Sequence, residues 1–241
     1  MKILKSFLKI IFPSHCLACE KIISADGLFC ADCWPKLQFI SEPKCAICAY
    51  PFEFQGLSLL CAKCLTKKPS FDKSVAIFRY NHVIRKIISS LKYRDQTFVA
   101  KKFARLLFDK AKNEIAACDL IIPVPLHVKR LRKRKFNQAI LLAKNLLKFA
   151  PKKTFYPDFL IRTKHTKPQV ELKKKDRENN LKNVFEVNEK YRETVRGKKI
   201  ILIDDVTTTG ATLENCAKVL KKCGAKEVVV LVVAKTALGG S

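Results

Sequence analysis

Four Cys-x-x-Cys pairs crowd the start of the chain: Cys16 with Cys19, Cys30 with Cys33, Cys45 with Cys48, and Cys61 with Cys64. Two thiolates two residues apart on a tight knuckle can both reach one tetrahedral Zn²⁺ at roughly 2.3 Å, and two such knuckles close a structural site. Ten residues separate the first two pairs and twelve the last two, spacings that suit small zinc ribbons. Sequential pairing predicts two ions, one on Cys16, Cys19, Cys30 and Cys33 and one on Cys45, Cys48, Cys61 and Cys64. A cross-braced arrangement of the same ligands is the competing topology. A disulfide framework is the competing chemistry; it implies secretion, and no export signal is visible.

A second constellation runs Ile200-Ile201-Leu202-Ile203-Asp204-Asp205-Val206-Thr207-Thr208-Thr209-Gly210-Ala211-Thr212. Its apolar half predicts a buried strand, and open α/β sheets bind ligands in the crevice outside the C-terminal ends of such strands. The hydroxyl-rich loop then leads into a helix with Leu213, Cys216, Ala217, Leu220 and Cys223 on one face, closed by Gly224 at C′. Backbone N–H groups, the helix dipole and threonine hydroxyls there suit a phosphate. Asp204 and Asp205 would repel it unless they hold another part of the same ligand. Ribose hydroxyls ask for such acceptors, and a bound Mg²⁺ relieves the repulsion. No Gly-Lys-[Ser/Thr] follows, so this is not a Walker loop.

A third feature, Lys129-Arg130-Leu131-Arg132-Lys133-Arg134-Lys135, packs six positive charges into seven residues directly after Pro123-Val124-Pro125. Guanidinium forks at Arg130 and Arg134 suit pyrophosphate oxygens, whereas Lys129, Arg132, Lys133 and Lys135 suit a wider field along a nucleic-acid backbone. A solvated charged face is the plain alternative. Arg162 to Arg177 is a second basic region without clear periodicity and reads as a loop or flap; His165 within it is a weak acid–base candidate. Tyr93, Phe136 and Tyr156 lie near basic stretches and could stack on bases, although Phe136 can equally be core.

The hydrophobic pattern supplies the elements that must hold these residues. After Lys67-Lys68-Pro69, strands are predicted over 75–80, 120–124, 199–206 and 227–234, with helices over 83–92, 98–112, 137–149 and 211–223. Such alternation predicts an α/β domain over 71–241, a mostly parallel sheet flanked by helices, behind a zinc-ribbon module over 1–70. No internal repeat is evident. Metal binding supplies stability that so small a module cannot obtain from apolar burial. Cys118, Cys216 and Cys223 sit in apolar contexts and read as core fillers. Ile3, Leu4, Phe7, Leu8 and Ile11 recur at helical spacing with Lys5 and Lys9 opposite, which predicts a short amphipathic helix docked on the protein, with a membrane-surface helix as the alternative. No transmembrane segment is expected, and the compartment implied is the cytoplasm.

Composition sets the outer bounds. The 241 residues are 48% apolar and include only seven Gly and ten Pro, which excludes collagenous, low-complexity and disordered chains. Lys and Arg number 48 against 21 Asp and Glu, a formal +27 that implies polyanionic company. Residues 1–70 hold nine Lys and five acids, and two Zn²⁺ on eight thiolates would bring that module near neutrality. The remaining 39 basic and 16 acidic side chains leave about +23 on 71–241.

The stretch from Ile200 to Thr212 resembles the phosphoribosyl pyrophosphate (PRPP) motif of type I phosphoribosyltransferases. The whole layout is similar to the ComF (GntX-like) proteins associated with bacterial competence: four Cys-x-x-Cys pairs, Leu91-Lys92-Tyr93-Arg94, Pro123-Val124-Pro125, Arg130 and Arg134 ahead of Phe136-Asn137-Gln138, Arg162-Thr163 with Gln169, and Asp204-Asp205. That resemblance implies a type I phosphoribosyltransferase fold. It also implies PRPP bound with Mg²⁺, Asp204 and Asp205 on the ribose 2′ and 3′ hydroxyls, and Thr207, Thr208, Thr209, Gly210, Ala211 and Thr212 around the 5′-phosphate. A mobile loop closing over pyrophosphate, single-stranded DNA in DNA uptake, and a competence helicase or DNA channel protein as partner are further implications. Purine-salvage relatives carry an Asp base at the position of Thr208, and a hydroxyl cannot take up a proton near pH 7, so purine salvage is disfavoured. Lys135 stands where similar proteins often have Gly, so the turn before Phe136 is expected to differ. A metabolic phosphoribosyltransferase with an unidentified acceptor is the enzymatic alternative; no catalytic residue is identifiable. A purely structural zinc adaptor would leave the acidic pair unexplained.

Overall fold

The computed structural model describes residues 13–23, 27–54, 59–93, 97–163 and 184–236. The amphipathic segment near the N-terminus and all of the second basic region beyond Thr163 fall outside them. The first cysteine pair lies between two short antiparallel strands, β1 (Ser14–His15) and β2 (Ile22–Ile23). A short helix, α1 (Ala62–Thr66), starts within the last pair.

The apolar runs form a five-stranded sheet, parallel throughout. The chain enters it with β3 (Lys73–Arg79), passes through α2 (His82–Tyr93), α3 (Phe98–Lys110) and α4 (Lys112–Ala117), and returns as β4 (Leu120–Pro123). After α5 (Val128–Arg134) and α6 (Gln138–Leu146) comes the edge strand β5 (Thr154–Phe155). An antiparallel pair, β6 (Leu160–Arg162) and β7 (Phe185–Val187), stands apart from the sheet, and a 3₁₀ segment (Glu189–Val195) follows it. The long central strands β8 (Lys199–Thr207) and β9 (Glu227–Lys235), joined by α7 (Ala211–Lys222), complete the order β3-β9-β8-β4-β5.

That order fixes where a ligand can sit. The crossover after β4 leads to its outer neighbour β5, while the one after β8 leads the opposite way to β9, so a crevice opens between the C-terminal ends of β4 and β8. Register places Pro123 opposite Ile203, so the Pro-Val-Pro turn and the acidic pair flank one crevice.

Side-chain alternation along the strands builds two cores. Ile77, Ile121, Ile201, Ile203, Val229 and Leu231 face α2, α3 and α6, and Cys16, Leu17, Cys33 and Leu37 of the first ribbon join them. Ala76, Ile122, Ile200, Leu202, Val228 and Val230 face α7, together with Cys45, Cys48, Cys61 and Cys64 of the second ribbon. The ribbons thus straddle the β3 edge, one on each face. The segment between them and the first knuckle of the second ribbon cover that edge: Ile40 N–H donates to Ile77 O at 2.8 Å, Arg79 N–H to Gln38 O at 2.7 Å, and Ser74 N–H to Ile47 O at 2.7 Å. An exposed strand edge is an aggregation hazard, and the cysteine-rich segment removes it. Phe78, fully buried, packs its ring against Phe39, Phe103 and Phe29 at 4.8, 6.2 and 6.3 Å.

Two expectations need correction, and one helix is added to them. The helix predicted over 98–112 stops at Lys110 and restarts at Lys112, because Ala111 leaves helical geometry at φ −120°. The basic run is itself helical, as α5. The two ribbons do repeat: Cys16 N–H bonds Lys21 O as Cys45 N–H bonds Tyr50 O, both at 2.8 Å, and Glu20 and Ala49 both take positive φ, 65° and 56°.

Phe78 joins the first ribbon to the sheet, so Phe78→Ala is expected to cost about 3–5 kcal/mol by denaturant unfolding. A loss below about 1 kcal/mol would show that the aromatic contacts do not hold the ribbon to the sheet.

Candidate functional site

The cysteines gather into two four-sulfur clusters by sequential pairing, as the spacing predicts: Cys16, Cys19, Cys30 and Cys33 in one, Cys45, Cys48, Cys61 and Cys64 in the other. Within each, the Sγ atoms lie within 4.8 Å of one another, and the Cys19–Cys30 and Cys48–Cys61 sulfurs approach to 3.6 Å. A tetrahedron with 2.3 Å metal–sulfur bonds has edges of about 3.8 Å, so both donor sets fit Zn²⁺. Without a cation the thiols protonate unequally. Burial pushes Cys33 up to about 12 and Cys48 up to about 11. At Cys16 and Cys45 burial also acts upward, but backbone N–H donors outweigh it and bring these thiols down to about 6 and about 7. A divalent ion would bring all four into one state.

The hydroxyl-rich loop leaves β8 at Thr207 and enters α7 through Gly210, which takes φ +81° at the N-cap. That left-handed conformation is why glycine stands there. Ala211 N–H reaches Thr209 Oγ1 at 3.4 Å, and Thr236 N–H holds Thr207 O at 3.0 Å. Thr207 is buried, Thr208 exposed, and Thr209 to Thr212 half-buried, so the loop has a firm base and an open rim. Gly224 closes α7 as expected: its N–H bonds Lys221 O at 3.0 Å and Ala225 N–H bonds Leu220 O at 3.1 Å, a Schellman ending.

The acidic pair splits across the sheet. Ile201 and Ile203 face α2, so alternation carries Asp205 to that side and Asp204 to the side of α7. Asp205 is buried, and Lys92 Nζ, near the end of α2, lies 2.8 Å from its Oδ2. This is an ion pair without hydrogen-bond alignment, so Asp205 Oδ2 lacks an aligned donor among the described residues. Asp204 Oδ1 accepts from Asp205 N–H at 2.9 Å. Burial, then the charge of Asp205, push the Asp204 carboxyl up to about 7, while the Asp205 N–H, Lys92 and Arg134 pull the other way. Two crowded carboxyls, one short of donors, suit hydroxyl groups or a divalent cation.

Across the crevice, Asn137 ties the loop after β4 to α6. Its Nδ2 donates to Val124 O at 2.9 Å and its Oδ1 accepts from Ala139 N–H at 2.9 Å, capping the helix. Arg134 reaches the acidic pair electrostatically and donates to Gln138 Oε1 at 3.3 Å. Gln138 Nε2 is buried without a partner among the described residues. Arg132 and Lys135 are exposed, and the side chains of Lys129, Arg130 and Lys133 fall outside the described part of the structure. Positions 130 and 134 are one helical turn apart in α5. Lys135 adopts φ +63°, so the turn keeps a glycine-like backbone with lysine in it, at a cost of roughly 1–2 kcal/mol.

Other expectations shift. Tyr156 is half-buried against Tyr191 and Phe159, at 4.5 and 5.7 Å, and is not a free stacking platform. Arg162 closes strand β6, with its guanidinium 5.3 Å from the Phe185 ring centroid, instead of opening a loop. Cys118 and Cys216 are buried, but Cys223 is half-exposed. Lys92 and Gln138 stood in motifs without roles. Lys63, whose Nζ donates to Thr209 O at 2.6 Å, went unnoticed because only the tertiary fold brings it to the loop.

Residues 7–65 match a double zinc ribbon domain and residues 142–238 a phosphoribosyl transferase domain. The chain is 34% identical to competence protein F of Haemophilus influenzae over 226 residues, covering 91% of this chain and 96% of the relative. It is 30% identical to the DNA utilization protein YhgH of Escherichia coli O6:H1, covering 80% and 84%, and 29% identical to competence protein ComFC of Bacillus subtilis, covering 87% and 89%. Among solved structures it is similar to a purine phosphoribosyltransferase from Pyrococcus horikoshii Ot3, at 20% identity and a TM-score of 0.37, covering 56% of this chain and 73% of that one.

The raised Asp204 gives a pH test. Its folded value of about 7 exceeds the ordinary 3.8, so the stability it contributes is complete below about 4 and is lost as pH rises through about 7. Asp204→Asn should therefore gain stability over the parent between pH 5 and pH 8, by about 1 to a few kcal/mol at the upper end. Thermal or denaturant unfolding at both pH values measures it, and comparing the two chains cancels thiol titration. A pH-independent difference would contradict the strain at Asp204.

Proposed function

The chain belongs to the competence protein F family, and from that premise we propose that it binds PRPP with Mg²⁺ at the crevice beside β8, and single-stranded DNA along α5, in the uptake of DNA. The observation that carries the ligand reading is the junction of an under-satisfied carboxylate pair with a hydroxyl-rich loop whose left-handed Gly210 caps a helix. Loop N–H groups and threonine hydroxyls take the 5′-phosphate. Ribose hydroxyls donate to Asp204 and Asp205, beside the Lys92 ammonium already at Asp205 Oδ2. Arg134, beside the acidic pair and near Gln138, meets the pyrophosphate, and position 130 lies one turn away on the same helix. Mg²⁺ offsets the charge between phosphates and carboxylates. Thr208 offers only a hydroxyl, which does not serve as a base.

The DNA reading rests on charge placement and on the relatives' names. About +23 falls on 71–241, and its densest run forms a helix at the crevice rim with Arg132 and Lys135 exposed. No helix among the described residues is long and apolar enough to cross a membrane.

Titration calorimetry tests the first part: Asp205→Asn should weaken PRPP–Mg²⁺ binding at least about tenfold, roughly 1.4 kcal/mol. Equal affinity in a folded variant would refute the ribose assignment. For DNA, the logarithm of affinity should fall with the logarithm of salt with a slope of several units. Replacing Arg132 and Lys135 together by Ala should reduce that slope by about two; an unchanged slope would move the DNA path off α5.

A further inference from the structure

The phosphate loop is braced from outside its own domain. Lys63 lies inside the last cysteine knuckle, between Cys61 and Cys64, where Cys64 N–H and Leu65 N–H both bond Cys61 O at 2.9 and 3.0 Å. Its Nζ crosses to Thr209 O at 2.6 Å, 146 residues away in sequence. An independent contact fixes the same approach: Ser70 donates through its backbone N–H and its Oγ to the two carboxylate oxygens of Glu214, at 2.8 and 2.7 Å. Glu214 stands in the first turn of α7, directly after the loop. The second ribbon grips the loop at its middle, and the chain just after the ribbon holds its helical end.

The Thr209 carbonyl shares a peptide unit with Gly210 N–H. An ammonium on that oxygen polarises the unit, makes the N–H a stronger donor and holds the carbonyl's negative end against a cation. The side chain is exposed, so its charge is also open to a ligand at the rim. From these contacts the geometry points to Lys63 as a positioning and charge-supplying residue for the 5′-phosphate, delivered to the loop by the second zinc ribbon. This rests on the reading of the loop as a phosphate site.

Titration calorimetry of ribose 5-phosphate into the full, zinc-loaded chain tests it, with the wild type, Lys63→Met and Lys63→Arg compared. Lys63→Met should weaken binding about five- to tenfold, Lys63→Arg should stay within about twofold of the wild type, and both variants should keep wild-type zinc content and melting temperature. Wild-type affinity in Lys63→Met overturns the proposal while leaving the site intact. Loss in Lys63→Met accompanied by zinc release also overturns it, since the lysine would then be holding the ribbon together. Equal loss in both variants overturns the charge-supplying role. No binding by the wild type at millimolar ribose 5-phosphate overturns the phosphate-loop reading itself, and this proposal with it.

Discussion

Two carboxylates at the exit of a buried strand impose the constraint that the surroundings answer. β8 lies between β4 and β9 in an all-parallel sheet covered on both faces, so Asp204 and Asp205 leave an apolar corridor with no water behind them. Placing such groups there is costly unless partners wait on each side. On one face α2 ends with Lys92 at Asp205. The junction of α5 and α6 brings Arg134 within electrostatic reach of Asp204. The crowding that remains shows at Asp204, whose carboxyl burial and the charge of Asp205 push up to about 7.

The zinc ribbons take part in this arrangement. Each contributes its cysteines to a different core, and the segment between them pairs with the exposed edge of β3. Metal binding lets these short segments hold a shape that apolar burial alone could not support, and the shape is then used twice, as an edge cover and as a brace for the phosphate loop. Charge follows the same division: two Zn²⁺ on eight thiolates would offset the ribbons' excess, which leaves the positive charge on 71–241.

Features with a strong local period were legible in the sequence. Cysteine spacing marked the eight ligands and favoured sequential over cross-braced pairing, which the fold settles, and the apolar runs of β8 and β9 marked the parallel sheet. The Thr-Thr-Thr-Gly-Ala-Thr loop also showed itself, with Gly210 at the one position whose left-handed backbone favours glycine. The helix α5 was hidden: its charges leave no apolar stripe, and Val128 and Leu131 remain exposed. Strands of two or three residues, such as β5, β6 and β7, are too short to show an alternation. Lys92 stands in a quoted motif and Lys63 in none that carries a role, and both gain their meaning only from tertiary contacts. Lys135 carries a different lesson, since its backbone takes the left-handed conformation expected of glycine and the fold absorbs the strain.

The most direct test is a crystal structure of the full chain with PRPP and Mg²⁺. It should place the 5′-phosphate on the backbone N–H groups of Thr207 to Thr212 and the ribose hydroxyls on the carboxylates of Asp204 and Asp205. PRPP bound at any other surface, or a loop and acidic pair left without ligand at millimolar PRPP, would contradict the account.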